Sequence, residues 1–368
     1  MIVKKVGIIG LGLIGGSLAM TMKRKKPQVQ VLACDTKEET RHLALEKKAA
    51  DKVFSGITPE FASCSLIFLC APVDVNKALL KSLVPFTKEN GSLILSDVSS
   101  MKGQIQEEAK ALGVEDRFIG GHPMAGTENT GFAHADAYLF ENVYFLMTPG
   151  EKVPDGPIEE YKAFIKDLDM IPIRLTTKEH DFATACVSHV PHIISAALVN
   201  LVRENDTERQ TLKTIAAGGF KDITRISSSS PDMWTEITEG NKAQILPVID
   251  QYIASLQEVR SEIAKEEEGK IRSFFADAKE YRDSINQKKG NAYRESFVLY
   301  CDLIDEAGEI ATIATRLATH RISIRNIGII HNREFQDGVL SIEFYDAKAL
   351  ADATGLLRKF RYHIYEPK

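Results

Sequence analysis

The feature that most constrains this 368-residue chain is a glycine-rich segment near its start, Gly10-Leu11-Gly12-Leu13-Ile14-Gly15. It directly follows the apolar run Val6–Ile9 and precedes a helical pattern that extends through Met22. In a GxGxxG segment the first glycine permits a tight turn, the second lets the backbone approach a pyrophosphate, and the third lets helix and strand pack closely. The helix would also present unpaired N–H groups to the phosphates. The segment predicts a dinucleotide site, and the alternative is a glycine-rich turn that binds nothing.

Two later positions belong to the same predicted site. Asp35 ends the second predicted strand, 20 residues after Gly15, where a carboxylate would accept hydrogen bonds from the adenosine ribose. Its charge would repel a 2′-phosphate and so favours NAD over NADP, although Lys37 would soften this preference. Ala71-Pro72-Val73 follow another predicted strand, where the chain must turn beside the cofactor. A strand-ending proline without any cofactor role explains these three residues equally well.

Short apolar runs alternate with helical patterns over residues 1–150. The runs are Val6–Gly10, Val29–Asp35, Leu66–Val73, Ser92–Asp97, Phe118–Gly121 and Tyr144–Thr148. Such runs suit a parallel sheet buried on both faces, and their alternation with helices implies right-handed βαβ units. A boundary is expected at the proline- and glycine-rich residues 151–157, followed by one more βα-like passage. Residues 1–176 are thus predicted to form a doubly wound, Rossmann-type dinucleotide-binding domain.

The rest of the chain is predicted to divide into three parts. Residues 177–285 are helical throughout and include the amphipathic stretch His180–Val202, which Pro191 should kink. Residues 286–295 are polar and lack periodicity, which indicates a linker. Residues 296–368 show the order βαββαβ, which predicts a small ferredoxin-like α+β domain. The predicted fold class is therefore α/β with an all-helical second domain.

Composition narrows the functional class. A net charge of -5 gives no support to bulk binding of nucleic acid or of an anionic membrane. No apolar run approaches the roughly 18–20 residues that a membrane-spanning helix needs, and the N-terminus lacks a signal-peptide pattern. The five cysteines are scattered and never spaced as CxxC, so we expect a cytoplasmic protein without disulfides or structural zinc.

Polar residues at predicted strand ends indicate where chemistry takes place, since ligands of open α/β sheets bind beyond the carboxyl ends of the strands. His122, between a glycine and a proline, could take a hydroxyl proton while hydride leaves the same carbon. Ser100 is placed to hydrogen-bond this imidazole and fix its tautomer. The alternative for a lone histidine is a structural role, which is the commoner case.

The helical part contributes further candidates. Lys221 and Arg225 lie four residues apart, hence on one helix face, and indicate an anion pocket in which Arg225 grips a carboxylate; a solvated basic face is the alternative. His189 and His192 share a face and suit substrate contact or helix packing, and no third ligand at a suitable spacing supports a metal site. Trp234 is expected in the core.

Taken together, these segments resemble the prephenate dehydrogenases of tyrosine biosynthesis, in the bacterial form with a C-terminal ACT domain. The shared segments are GLGLIGGS at 10–17, SDVSSMKG at 96–103, GGHPMAGTE at 120–128, SHVPH at 188–192, GGFKDITRI at 218–226 and MW at 233–234. The resemblance carried by these segments covers residues 1–290. Residues 296–368 look like an ACT module at 305–310 and 324–327, with Ala307 where such modules often carry proline.

The resemblance implies NAD-dependent oxidative decarboxylation of prephenate to 4-hydroxyphenylpyruvate and CO2. Mapped by motif, His122 would bind and deprotonate the ring hydroxyl, and Ser100 would orient His122 and touch the hydroxyl. Arg225 would anchor a substrate carboxylate. The other implied substrate contacts are Lys221, His189 and His192, with Thr127 and Glu128 at the entrance. The helical part resembles the dimerising half of the family, which implies a homodimer.

The C-terminal module would bind an amino acid, and the resemblance points to tyrosine as a feedback inhibitor. The implied contacts are Glu306 and Gly308 in the strand-to-helix loop and Asn326 after the second strand. An arogenate or cyclohexadienyl dehydrogenase uses the same machinery and fits the sequence as well. A non-catalytic sensor of NAD and amino acids is the alternative from another class. A sensor would need neither a base such as His122 nor the pair Lys221 and Arg225 directed at it.

Overall fold

The computed structural model of the chain describes residues 3–126, 129–287, 297–303, 306, 308–330 and 338–365. The chain forms two compact units, Met1–Leu256 and Gln257–Lys368, and each has its own hydrophobic core. Thr127 and Glu128, predicted at the site entrance, lie outside the described residues, as does the predicted linker beyond Gln287.

The first unit is built on one large sheet. Its strands are β1 Lys5–Ile9, β2 Gln30–Cys34, β3 Lys52–Phe54, β4 Leu66–Leu69, β5 Ile94–Asp97, β6 Phe118–Pro123, β7 Tyr144–Pro149 and β8 Ile171–Arg174. The helices between them are α1 Leu13–Lys25, α2 Glu38–Glu46, α3 Val73–Glu89, α4 Gly103–Ala111 and α5 Asp155–Asp167. The eight strands have the order β3-β2-β1-β4-β5-β6-β7-β8. This confirms the predicted Rossmann-type sheet and adds β3, a short edge strand.

The central strands are buried on both faces of this sheet. In β4, Leu66 and Phe68 belong to one hydrophobic core, whereas Ile67 and Leu69 belong to the core on the opposite face. Successive side chains of a strand point to opposite faces, so a strand covered on both sides must be apolar throughout. Burying a side chain such as Phe68 stabilises the fold by roughly 1.5–3 kcal/mol.

Two expectations for this domain are wrong. The sheet is not wholly parallel, because β7 pairs antiparallel with β6, in a register that places His122 opposite Leu146. A parallel return needs a long crossover, usually a helix, but the described residues between β6 and β7 contain only the short 3-10 turn Phe132–His134. Residues 151–157 are not a boundary either, because α5 begins at Asp155 and leads to β8 of the same sheet.

Helices follow without an intervening strand. They are α6 Thr177–Thr184, α7 Val190–Asn205, α8 Thr211–Ile215, α9 Gly218–Thr224, α10 Pro231–Gly240, α11 Lys242–Ala264 and α12 Glu268–Gln287. A capping box starts α6: Thr176 Oγ1 accepts from the Glu179 N–H, and the Glu179 carboxylate accepts from the Thr176 N–H. The predicted kink takes the form of a π-helical turn, Ala185–His189, which ends two residues before Pro191. Proline lacks the N–H that would continue the α-helical ladder, which explains this position.

The stretch Thr177–Asn205 has the length and mean hydropathy, 1.6, of a membrane-spanning helix, contrary to the expectation that no segment approaches one. Length and composition alone are weak evidence for a span. The same stretch buries His180 and Asp181, whose side chains bond to other protein groups. Val187 and Leu201, by contrast, are 68% and 56% exposed, so this helix presents apolar side chains at the surface of the single chain.

The second unit contains a four-stranded sheet with two helices. Its elements are β9 Phe297–Leu303, α13 Glu309–Thr319, β10 Ile324–Ile330, β11 Gly338–Phe344, α14 Ala347–Lys359 and β12 Ile364–Tyr365. The sheet order is β10-β11-β9-β12, and every pairing is antiparallel. Ile313 and Leu317 of α13 and Leu357 of α14 pack into one core with the sheet. The predicted element order βαββαβ matches the observed one.

Candidate active site

The predicted dinucleotide loop lines a cavity of about 420 Å³ at the carboxyl ends of β1, β2 and β4. The predicted cofactor residues that line it are Gly10, Leu11, Gly12, Asp35, Ala71 and Pro72. The other four, Leu13, Ile14, Gly15 and Val73, are not among its lining residues. The cavity thus includes two of the three residues after β4, where the sequence left a cofactor role and a simple strand end equally open.

Each glycine of the loop meets a different steric demand. Gly10 has φ +95°, a conformation that side chains rarely tolerate. A Cβ at Gly15 would lie 2.0 Å from the carbonyl oxygen of Gly10, so this residue allows α1 to pack against the turn. A Cβ at Gly12 would meet nothing within 4 Å and would project into open space. Because α1 has no side-chain cap, its N-terminus is open to a phosphate, and the loop fits a dinucleotide.

Asp35 stands directly after β2 with a fixed carboxylate. Its Oδ2 accepts from the Leu11 N–H at 2.9 Å, and its Oδ1 accepts from the Lys37 N–H at 2.8 Å. A carboxylate has about four acceptor positions, so two N–H groups leave room for ribose hydroxyls. The side chain therefore ties the glycine-rich loop to the second strand and remains suited to the role predicted for it.

His122 is the penultimate residue of β6 and is half-buried at the same carboxyl edge of the sheet. Its Nδ1 lies 2.9 Å from Nε2 of His180, a residue of α6. The sequence interpretation named Ser100 as the ring's partner, and this is wrong for Nδ1. Ser100 is half-buried in the loop after β5 and makes no hydrogen bond to His122 among the described residues. A contact of Ser100 with the substrate stays a prediction.

Behind His180 lies a carboxylate held by a helix N-terminus. His180 Nδ1 is 2.8 Å from Asp181 Oδ1, which also accepts from the Lys102 N–H at 2.8 Å. Asp181 Oδ2 accepts from the Gly103 N–H at 2.8 Å. This pair was not predicted from the sequence, although a His-Asp dipeptide directly after the capping box at 176–179 was a usable signal.

A buried ion pair supports the strand that carries His122. Lys102 and Asp97 are both fully buried, and Lys102 Nζ donates to Asp97 Oδ2 at 2.6 Å and to the Gly121 carbonyl at 2.7 Å. Burial lowers the pKa of Lys102, and Asp97 opposes that change. The pair joins the ends of β5 and β6 one residue before the catalytic candidate.

The environment keeps the histidines neutral. Burial, followed by the proximity of His180, Lys102 and His189, lowers the pKa of His122 well below its usual 6.5. Burial also lowers the pKa of His180, although its hydrogen bond to Asp181 opposes this. For Asp181 burial raises the pKa, but the hydrogen bonds from His180, Lys102 and Gly103 prevail and lower it. A neutral imidazole beside an ionised carboxylate is the state suited to accepting a proton.

The two histidines of the helical part lie next to Trp234. His192 stacks on the Trp234 ring with 3.6 Å between ring centroids, and its Nδ1 donates to the Ser188 carbonyl. Asn241 donates from Nδ2 to the Asp181 carbonyl at 2.8 Å and to His189 Nδ1 at 3.1 Å. His189 Nε2 and Trp234 Nε1 are buried without a hydrogen-bond partner among the described residues. Buried donors of this kind require a ligand or a water molecule.

Arg225 lies close to this group of residues. Lys221 and Arg225 belong to different local structures, since Lys221 lies on α9 and Arg225 on the turn that follows it. Arg225 lies near enough to His192 to lower its pKa, after burial, the larger cause. Ser195 Oγ bonds to the Ile223 carbonyl and to Ser227 Oγ, which holds this segment on α7. The expected shared helix face ends at Thr224, because Arg225 starts a 3-10 turn. Lys221 is exposed and has no ion pair in the described part of the chain.

The remaining candidates are possible metal ligands and the residues predicted to contact an effector. Within the described ranges, no group of three His, Cys, Asp or Glu side chains could hold a metal ion. Of the effector candidates, Glu306 is exposed and Gly308 precedes α13 with φ +96°. Asn326 lies inside β10 rather than after it, and its Oδ1 accepts from the Ile327 N–H.

Trp234 is also linked to the cofactor cavity through α10. Glu236 Oε1 accepts from the Val73 N–H at 2.8 Å, where α3 begins beside the cavity. Val73 and Met101 form a small buried cluster with Ile237, against which Trp234 packs. The helical residues therefore close over the carboxyl edge of the nucleotide-binding sheet within the same unit.

A base of lowered pKa at the carboxyl edge of a dinucleotide-binding sheet is the arrangement of a dehydrogenase, which removes a hydroxyl proton as hydride passes to a nicotinamide. Family comparison agrees with this class. Residues 18–170 match "Prephenate dehydrogenase, nucleotide-binding domain", and residues 176–277 match "Prephenate dehydrogenase, dimerization domain". The chain belongs to the prephenate dehydrogenase family of NAD-dependent oxidoreductases.

Individual relatives agree over most of the chain. It is 35% identical to the prephenate dehydrogenase of Bacillus subtilis, across 92% of this chain and 91% of that protein. It is 34% identical to that of Lactococcus lactis, across 97% and 98%. The cyclohexadienyl dehydrogenase of Zymomonas mobilis is 29% identical across 76% of this chain and 95% of its own.

Among solved structures, prephenate dehydrogenase from Aquifex aeolicus in complex with hydroxyphenyl propionate and NAD+ superposes with a TM-score of 0.72. It is 28% identical and covers 77% of this chain and 99% of its own. This match supports the fold described above for the nucleotide-binding and helical parts.

Proposed function

We propose that this protein catalyses the NAD-dependent oxidative decarboxylation of prephenate to 4-hydroxyphenylpyruvate and CO2. The observation that carries the proposal is His122, an imidazole of strongly lowered pKa at the sheet edge that also holds the dinucleotide cavity. NAD bound in that cavity supplies the hydride acceptor. The relatives that match over nine-tenths of the chain share this activity by name.

His122 acts on the ring hydroxyl. The O–H bond breaks, its proton passes to the imidazole, and the carbon that bears the oxygen releases hydride. The bond to the ring carboxylate then breaks, CO2 leaves, and the electron pair makes the ring aromatic. The resulting phenolate oxygen takes a proton back, so the base is regenerated.

The anionic substrate accounts for the unpaired donors of the helical part. Asn241 donates to His189 Nδ1, so the neutral His189 ring carries its proton on Nε2, the atom without a partner. Burial lowers the pKa of His189 to about 4, so the ring is neutral near pH 7 and contributes a hydrogen-bond donor without a positive charge. Trp234 Nε1 is a second donor, and Arg225 supplies the positive charge. Together they form a cradle for a carboxylate.

The test is a comparison of kcat/KM for prephenate and arogenate, with NAD and NADP in turn. We expect the combination of prephenate and NAD to be preferred, and His122→Asn to lose turnover by roughly 10²–10⁴-fold with little change in KM. Arg225→Ala should instead raise KM for prephenate. Near-normal turnover of His122→Asn would contradict the proposed base. A preference for arogenate would favour the alternative, for which the Zymomonas relative is the supporting observation.

A homodimer is the proposed assembly. The family description names the region 176–277 a dimerization domain, and exposed apolar side chains are frequent in it, including Val187, Leu201 and Phe275. Covering such side chains is favourable by about 25 cal/mol per Å². Light scattering should give twice the chain mass of 40.8 kDa. A cytoplasmic location stays a prediction from the scattered cysteines.

The second unit is proposed to be an ACT domain that binds tyrosine and inhibits the enzyme. Two observations support this proposal. The antiparallel sheet and its two helices follow one another along the chain in the order βαββαβ, and Gly308 lies directly before α13. Inhibition of the full-length enzyme by tyrosine should weaken in Gly308→Val, because φ +96° disfavours a branched side chain there. Turnover that tyrosine leaves unchanged would refute the regulatory role and not the enzymatic one.

A further inference from the structure

We propose that His180 and Asp181 are positioning residues that hold His122 in the tautomer whose Nε2 accepts the substrate proton. The proposal rests on the proposed function, because it concerns how the same base is prepared. Neither residue touches the substrate in this scheme. Both act through the His122 ring.

The hydrogen bonds of the Asp181 carboxylate have only one possible direction. Two backbone N–H groups, of Lys102 and Gly103, donate to its two carboxylate oxygens at 2.8 Å each. These groups belong to the start of α4, where helix N–H groups lack partners and favour negative charge. The carboxylate is therefore ionised and accepts only. His180 Nδ1, 2.8 Å from Asp181 Oδ1, must be the donor.

The tautomer of His180 then determines that of His122. A neutral imidazole carries one proton, so His180 with a proton on Nδ1 has a bare Nε2. That bare nitrogen lies 2.9 Å from His122 Nδ1, which must donate its own proton. His122 Nε2 is left with its lone pair. The opposite tautomer of His122 would place two bare nitrogens against each other, at the cost of the hydrogen bond.

The hydrogen bond from His122 Nδ1 to His180 Nε2 can also persist in the protonated state that His122 reaches during turnover. When Nε2 takes the hydroxyl proton, Nδ1–H continues to donate to His180, now from a positively charged ring. In the neighbouring His180 ring, the carboxylates of Asp181 and Asp97 oppose the lowering of the pKa by burial and by Lys102. The geometry thus prepares the base without a proton on the wrong nitrogen.

Local packing explains why these residues can hold the ring precisely in place. His180 is fully buried and Asp181 is 8% exposed. The capping box at 176–179 sets where α6 begins, and Asn241 donates to the Asp181 carbonyl. A Cβ at Gly103 would lie 3.1 Å from Asp181 Oδ2, so glycine leaves space for this carboxylate.

The direct test is nitrogen-15 NMR of the histidine rings in the full-length enzyme with NAD bound. The His122 signals are assigned by their loss in His122→Asn. We expect Nε2 of His122 to show the shift of a bare nitrogen and Nδ1 that of a protonated one. A His122 ring protonated on Nε2 would overturn the proposal, and this readout does not depend on any variant at 180 or 181.

Turnover of two matched variants supplies the second test. His180→Gln keeps an acceptor oxygen within reach of His122 Nδ1, whereas His180→Leu is of similar size and accepts nothing. We expect kcat to fall by roughly 10²-fold in His180→Leu, with KM for prephenate changed less than about threefold, and most of kcat to return in His180→Gln. Asp181→Asn should behave like His180→Leu. His42→Leu, at an exposed position on α2, is the control for the substitution itself.

The outcomes separate this proposal from the proposed function. A wild-type enzyme that does not oxidise prephenate would refute the proposed function. An active wild type in which His180→Leu and His180→Gln lose the same kcat would refute only the positioning role. Equal thermal unfolding of these two variants would show that the difference between them comes from the ring's tautomer and not from folding.

Discussion

We expect Lys102→Met to destabilise the first unit strongly, because it leaves the Asp97 carboxylate buried without its partner. Both side chains are fully buried, and Lys102 Nζ bonds to Asp97 and to the Gly121 carbonyl. Removing one partner of a buried ion pair costs about 3–5 kcal/mol. In a domain of this size each 1 kcal/mol lowers Tm by about 2–4 °C, so Tm should fall by roughly 6–20 °C.

The assay is thermal unfolding followed by circular dichroism, at one protein concentration and without NAD, since binding and assembly both shift Tm. Lys110→Met is the matched control: it lies on α4, which begins directly after Lys102, but it is exposed, with no ion pair among the described residues. It should change the free energy of unfolding by no more than a surface substitution does, about 0.5 kcal/mol.

A double variant isolates the charge. Asp97→Asn combined with Lys102→Met removes both charges and should recover part of the loss, because no uncompensated charge stays buried. Unfolding of Lys102→Met at the same temperature as Lys110→Met would refute the destabilising role of the unpaired charge. A double variant destabilised by more than the summed destabilisations of its two single variants would refute it as well.

Three further perturbations test other parts of the site. Gly15→Ala should lower Tm, because its Cβ would lie 2.0 Å from the Gly10 carbonyl oxygen. Gly12→Ala should leave Tm unchanged but raise KM for NAD, since its Cβ would project into open space. Equal Tm values for the two variants would refute this contrast. Ser195→Ala removes the hydroxyl bonded to Ser227 and to the Ile223 carbonyl, so KM for prephenate should rise and stability should drop by about 1–3 kcal/mol, and an unchanged KM would separate this contact from Arg225. His189 has a pKa of about 4 in the folded state, below the usual 6.5, so the unfolded state binds the extra proton between these two pH values. The free energy of unfolding should therefore fall by roughly 3 kcal/mol as the pH drops from 6.5 to 4. Urea titrations of His189→Gln should lack this fall.

Most of the sheet could be predicted from sequence because its strands are buried on both faces. β4 is a continuous apolar run and β1 lacks polar side chains after Lys5, which the α/β pattern explains. β3 was missed because it has three residues, one of them Lys52, at the sheet edge. The direction of β7 could not be predicted, because an apolar run carries no information about which way the strand runs.

The false boundary at 151–157 has a local cause. Pro154 and Pro157 flank the start of α5, where proline is tolerated because the first helical N–H groups have no intrahelical partner. The same residues that end secondary structure in a linker can therefore begin a helix. Composition alone does not separate the two cases.

The cofactor loop could be predicted from the sequence more fully than the surroundings of His122. The cofactor loop is local, so spacing alone predicted Gly10, Gly12 and Asp35 at the cavity. The support of His122 is not local, because Asp181 meets the Lys102 N–H across 79 residues of sequence. Ser100 was named as partner because it lies near His122 along the predicted strands, whereas tertiary packing of α6 brings His180 to the ring.

The acid limb of the rate profile tests the electrostatics of the base. Burial lowers the pKa of His122 below 6.5, so the ring stays unprotonated on lowering pH from neutrality until its folded pKa is reached. The profile of kcat/KM with saturating NAD should therefore decline only at pH values below 6.5. His189→Gln keeps a donor at the Nε2 position without titrating, so an acid limb caused by His122 should persist in that variant. A decline centred at or above 6.5 would mean that the ring is solvated, and the buried, neutral base would have to be abandoned.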